Sequence, residues 1–162
     1  MQPPETATQQ MAEASLETPV GTLCVGEQDG AIVRLSWQAA SAAASGSALT
    51  AEALDQLRAY FAHELTAFDL PLAVAGSDFQ RAVCAAMSAI PLGETRTYGD
   101  IAKDLGAAAQ PVGNACGANP IPVIIPCHRV LGASGLGGFS GAGGVETKVA
   151  LLRHEGAAGL LI

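Results

Sequence analysis

The sequence predicts an α+β protein in two parts, a small α+β N-terminal domain followed by a mostly helical domain with a helix-turn-helix. Three observations predict it. Residues 15–37 (SLETPVGTLCVGEQDGAIVRLSW) form strand-like runs broken at Gln28-Asp29-Gly30, a hairpin signal. Leu54, Leu57, Phe61 and Leu65 then recur at helical spacing. Beyond Gly76, two short helical patterns flank a turn that contains Gly106.

Residues 1–13 carry neither the positive start nor the apolar run of a signal peptide and are expected to form a disordered tail. The N-terminal domain is assigned to 14–76. Its strands are Leu23–Gly26 and Ala31–Trp37. A small, polar loop leads to a helix capped by Thr50, and Pro71 ends the segment. The C-terminal domain is assigned to 77–162. Ser77 or Asp78 caps a helix through Ile90, with Phe79, Val83, Met87 and Ile90 on one face. Tyr98–Leu105 is a short helix stopped by Gly106. Gln110-Pro111 opens the next helix, with Pro111 at its first position, where a missing N–H is harmless. An apolar run reaches Ile125. Seven of the thirteen residues from Gly132 to Gly144 are glycine, which permits positive φ and close approach of a ligand to the main chain. Val145–Glu155 reads as a final amphipathic helix burying Val149, Leu151 and Leu152.

At 162 residues the chain can bury a core without disulfides or metal. No apolar run approaches the roughly 20 residues of a membrane helix. Cys24, Cys84, Cys116 and Cys127 are widely spaced with no CxxC pair, which argues against a zinc or disulfide framework and for the reducing cytoplasm. Cys84 and Cys116 read as structural thiols. The net charge of −7 is uneven. Residues 1–76 hold two basic and nine acidic side chains, and residues 77–162 hold six of each. The second half is therefore neutral rather than basic, and any DNA binding should be weak with a shallow salt dependence.

The chemistry concentrates at Pro126-Cys127-His128-Arg129-Val130, after the run Asn119-Pro120-Ile121-Pro122-Val123-Ile124-Ile125. Only a thiolate is a good nucleophile, and a free cysteine is a few per cent ionised at neutral pH, so a neighbouring base matters. On a strand, adjacent side chains would point to opposite faces. His128 can assist Cys127 only if the chain turns there, and Pro126 and the glycine-rich stretch make that turn plausible.

The run NPIPVIIPCHRV resembles the active-site signature of the O6-alkylguanine-DNA alkyltransferases, the methylated-DNA–protein-cysteine methyltransferases. The resemblance spans roughly Ser77 to Gly156 and includes PLGETRTYG at 91–99, the helix-turn-helix, GFSG at 138–141 and LLRHEG at 151–156. It implies a ribonuclease H-like N-terminal domain and a winged-helix-like C-terminal one. It also implies double-stranded DNA with alkylated bases as partner, base flipping through the minor groove, and no cofactor. The residue roles follow by the same resemblance. Cys127 accepts the alkyl group, His128 takes its proton through a water, Glu155 orients His128, and Asn119 sits near the thiol. Tyr98 helps rotate the phosphate and donates to the base. Val130, Phe139 and Ser140 form the guanine pocket with the main chain of 132–140. The product is a thioether, so the protein is used once.

Two positions depart from the family pattern. Gln110 stands where an arginine commonly fills the gap left by the flipped base, which favours weaker DNA binding. Phe139 stands where tyrosine is common, keeping the ring and losing the hydroxyl. Arg129 is grouped with the substrate- and DNA-binding residues, although bracing of the turn by an ion pair suits it better. His63 and His154 read as bystanders. The N-terminal half offers only Cys24 and His63 as soft ligands, so no metal is expected. The expected state is a cytoplasmic monomer. Two other readings compete: an alkyl-lesion-binding module with weak or no transfer because of Gln110, and a Cys-His hydrolase, which leaves the helix-turn-helix without a purpose.

Overall fold

The computed structural model describes residues 11–139 and 141–157. These divide into two compact units that meet in sequence at Ala73 and Val74. The first strand begins at Ala12, so the expected tail to residue 13 is too long at its described end. Residues 1–10 lie outside the described residues.

In the first unit, β1 (Ala12–Thr18), β2 (Gly21–Gln28) and β3 (Ala31–Ser36) form an antiparallel sheet in the order β1-β2-β3. Asp29 and Gly30 join β2 to β3 with φ of 54° and 83°. Positive φ at both positions is the turn whose twist matches paired strands. This places the hairpin where the sequence predicts it, although β2 runs from Gly21 rather than Leu23. Helix α1 (Ala48–Phe61) is capped by Ser47 rather than Thr50. The Thr50 N–H donates to Ser47 Oγ at 3.1 Å, and the Ser47 N–H donates to Thr50 Oγ1 at 2.7 Å. This reciprocal box starts the helix earlier than expected. Leu23, Val25, Ile32 and Leu35 of the sheet and Ala53, Leu54, Leu57 and Tyr60 of α1 form the core.

In the second unit, Ser77 caps α2 (Asp78–Ser88) by accepting from the Gln80 N–H at 3.0 Å. The helix stops two residues short of the predicted Ile90. Strand β4 (Arg96–Thr97) leads directly into α3 (Tyr98–Leu105), which Gly106 closes at φ 66°. Helix α4 (Ala109–Gly117) starts one residue before Gln110. Pro111 is therefore its third residue, not its first. The ring is still harmless, because the third N–H of a helix also lacks an intrahelical acceptor. A single turn of 3₁₀ helix, Cys127–Arg129, precedes β5 (Val130–Leu131), which pairs in parallel with β4. Helix α5 (Val145–Glu155) ends at Gly156. Val83, Met87, Ile101, Val112, Ile121, Ile125, Leu151 and Leu152 are the buried centre. Val149 is only half-buried, against expectation. Among the described residues no helix is long and apolar enough to cross a membrane.

Candidate active site

The apolar run before Cys127 is a folded-back turn, not a strand. Asn119 pins it from inside. Its Nδ2 donates to the Ile125 carbonyl at 2.8 Å, and its Oδ1 accepts from the Ile121 N–H at 2.9 Å. The Ile125 N–H closes the loop on the Ile121 carbonyl at 2.8 Å. Val123 is held at φ 72°, a conformation that is a genuine outlier for a β-branched residue. Residues 121–130 are all buried, and that packing holds the strained turn in place. The turn delivers Cys127 to the start of the 3₁₀ helix, where successive side chains are splayed by about 120°.

Cys127 is 5% exposed and lines a cavity of about 360 Å3 with Tyr98, Gly113, Cys116, Gly117, Gly138 and Phe139. Helix α3 supplies the tyrosine, α4 the small residues, and the glycine-rich loop the far wall. Gly113 lies across from the Tyr98 ring, and a Cβ built on it would sit 4.0 Å from Tyr98 Cδ1. At Gly137 (φ 74°) a Cβ would come within 2.8 Å of the Tyr98 hydroxyl oxygen, so the loop follows the tyrosine closely. Burial pushes the Cys127 thiol up, opposed by a hydrogen bond with the Asn119 side chain and the positive charge of Lys148. The resting sulfur is thus a protonated thiol that must lose its proton as it reacts.

The base is beside it in the chain. His128 is fully buried, and its Nε2 lies 2.6 Å from Glu155 Oε2. Glu155, on the last turn of α5, has no side-chain exposure. It also accepts from Arg129 Nε at 2.8 Å on Oε1 and from Arg129 Nη2 at 3.1 Å on Oε2. Arg129 Nη1 donates to the Ile90 carbonyl at 2.6 Å, beyond the end of α2. One carboxylate therefore fixes both residues that follow the cysteine. Burial lowers the His128 pKa, with Glu155 raising it and Arg129 and Lys148 lowering it further.

Lys148 is the functional residue the sequence reading missed. It has no exposure, and its Nζ donates to the Val130 carbonyl at 2.7 Å and the Gly138 carbonyl at 3.0 Å. The same nitrogen sits 5.9 Å from the centre of the Tyr98 ring, a cation–π distance. Burial lowers its pKa, while Cys127 and Cys116 hold it up. Its sequence signal is a lone lysine on the face that α5 buries, in helical register with Leu151, Leu152 and Glu155. Cys116, expected to be purely structural, lines the cavity, and burial and the neighbouring thiols push it up to about 12.

Of the residues expected from sequence, Tyr98, Cys127 and Phe139 come together at the cavity, and His128, Glu155 and Asn119 stand behind the cysteine. Val130 is fully buried and gives the site its carbonyl. Gln110 is exposed on the first turn of α4. Ser140 lies outside the described residues. Arg129 is a correction to the substrate- and DNA-binding group, while the bracing ion pair that suits it better is present. It is buried in its ion pair with Glu155, so its guanidinium is not free to meet a base or phosphate.

Comparisons with known proteins match the chain in both units. The family described as 6-O-methylguanine DNA methyltransferase, DNA binding domain, matches residues 78–157, and its ribonuclease-like domain matches residues 11–74. A methylated-DNA–protein-cysteine methyltransferase of Mycolicibacterium paratuberculosis is 44% identical over 150 residues, 87% of this chain and 90% of the relative. One of Mycobacterium tuberculosis is 57% identical over 106 residues, 64% of this chain and 63% of the relative. The crystal structure of M. tuberculosis O6-methylguanine methyltransferase superposes with a TM-score of 0.79 at 41% identity, covering 91% of this chain and 93% of that one. M. tuberculosis OGT in complex with DNA gives 0.80 at 44% identity, covering 90% and 92%.

Proposed function

The chain belongs to the 6-O-methylguanine DNA methyltransferase family, and on that premise we propose that it repairs DNA by moving an alkyl group from O6-alkylguanine, or O4-alkylthymine, to its own Cys127. The observation that carries this reading is a thiol on the wall of a cavity large enough for a base, bordered by the second helix of the helix-turn-helix. A stacked guanine cannot reach that sulfur. Extruding it costs a few kcal/mol. In the proposed complex α4 docks through the minor groove, Gln110 fills the gap in the duplex, and Tyr98 and Phe139 flank the flipped base.

The sulfur forms its bond to the alkyl carbon as the carbon–O6 bond breaks, and that electron pair stays with the guanine. The thiol proton passes through a water to His128 Nδ1, the imidazole face away from Glu155. The leaving guanine regains a proton, so the sum is thiol plus alkylguanine to thioether plus guanine. None of the described residues that line the cavity cleaves a thioether, and the protein is on this reading a single-turnover methylated-DNA–[protein]-cysteine S-methyltransferase. We assign it to the cytoplasm as a monomer, with residues 14–76 and 77–162 as its two domains.

The second reading, lesion binding with little transfer, draws on the exposed Gln110. One experiment separates the two. Incubation with DNA carrying O6-methylguanine should add about 14 daltons to the protein, the mass of a methyl replacing a proton. Cys127→Ala should show no gain. Lesion-dependent binding without a mass change would replace the first reading with the second.

A further inference from the structure

We propose that Arg129 is a positioning residue that sets the working charge state of the proton relay: by saturating Glu155, it leaves His128 uncharged, with its proton on Nε2 and its lone pair on Nδ1. This deepens the alkyl-transfer reading and rests on it only for its kinetic test.

The geometry leads there in steps. Glu155 is sealed from solvent, and an unpaired buried carboxylate is costly. Arg129 meets it with Nε on one oxygen and Nη2 on the other, and its third contact, on the Ile90 carbonyl, keeps the fork from swinging away. With that guanidinium in place the carboxylate needs no second cation. His128 satisfies it as a neutral donor through Nε2 at 2.6 Å. Among the described residues no polar atom pairs with His128 Nδ1. A neutral ring that donates through Nε2 carries its lone pair on Nδ1, the form that can accept a thiol proton.

Removing Arg129 blocks that nitrogen by either of two routes. Glu155 and His128 would form a coupled pair that takes up one more proton. If the proton settles on the ring, the imidazolium has no lone pair. If it settles on the carboxyl, Glu155 donates to Nε2, and the ring proton must move to Nδ1. Both outcomes leave Cys127 without its base. Lys148 is the other cation that acts on His128, and it too disfavours a charged ring. Arg129, Glu155 and Lys148 are the charged groups that influence the imidazole from its own turn and from α5.

The test has two readouts, Arg129→Met and Arg129→Lys being compared with the unaltered protein. In ¹⁵N NMR at neutral pH, His128 Nδ1 of the unaltered protein should show the shift of a bare ring nitrogen. In Arg129→Met it should show a protonated one. The alkyl-transfer rate of Arg129→Met should fall, with its acid limb displaced upward by about one pH unit or more, roughly a tenfold loss below the limb. Arg129→Lys keeps a cation against Glu155 and should restore the limb. A protonated Nδ1 in the unaltered protein overturns the proposal even if Arg129→Met fails to fold. So does a folded Arg129→Met with an unmoved limb. Because the NMR readout needs no DNA, a failure of the alkyl-transfer reading itself is seen separately.

Discussion

At the residue scale, the site surrounds one buried thiol with groups that oppose its burial. Asn119 and Lys148 favour the thiolate, while desolvation disfavours it and prevails at rest. Lys148→Met should therefore slow alkyl transfer by about tenfold at neutral pH, and the deficit should shrink only once the pH climbs past the raised range of the thiol. A deficit equal at every pH would mean that the lysine only braces the loop. The residues of this site were unequally legible in the sequence. Cys127 and His128 announce themselves because they are adjacent, and Glu155 and Asn119 through family motifs. Cys116 reaches the cavity, and Lys148 the main chain of the loop that lines it, only through the packing of α4 and α5, and nothing contiguous marks either. Arg129 braces the turn by the ion pair that suits it, and its burial against Glu155 withdraws it from the substrate- and DNA-binding residues.

At the element scale, helices and the hairpin were legible because capping residues, glycines and apolar periods act locally. Residues 119–126 were harder. Their composition suits a strand, yet the two side-chain bonds of Asn119 and the positive φ of Val123 fold them into a turn. Such a conformation is set by tertiary packing, which no local propensity reports. The glycine-rich loop yields a direct prediction. Gly137→Ala places a methyl against the Tyr98 hydroxyl at a left-handed φ, so it should cost about 1–2 kcal/mol in backbone strain alone. It should also impair transfer by displacing the ring, and unchanged melting and kinetics would refute the close approach. The relay that joins the 3₁₀ turn to α5 predicts a pH dependence of stability. His128 is kept neutral in the fold but is free to protonate once unfolded, so below its ordinary value of 6.5 the unfolded chain binds the extra proton. Stability should fall as pH drops below that value, by up to about 1.4 kcal/mol per unit, until the folded-state value is reached. Urea titrations of the unaltered protein and His128→Gln between pH 5 and 7 (a window set by the ordinary histidine range) should differ in slope. Parallel curves would contradict it.

At the scale of the whole molecule, charge decides how DNA is met. The six basic residues of 77–162 are fewer in effect than in number. Arg129 and Lys148 are buried, and Arg81 and Arg96 are drawn to Asp78 and Asp104. Lys103 and Arg153 are exposed and make no ion pair among the described residues. With so few free cations, log K against log salt should slope only about −2 to −3, and Gln110→Arg should steepen it by roughly one and tighten binding. A slope beyond about −5, or no gain from the arginine, would contradict this picture. The two-unit plan was readable because Pro71 and Gly76 interrupt the helical pattern and the acidic excess ends at that break. The most direct test of the central claim is peptide mapping after reaction with excess DNA labelled at the O6-methyl group. The label should appear on Cys127 alone and stop at one methyl per protein, and label on Cys116, or turnover beyond one equivalent, would contradict it.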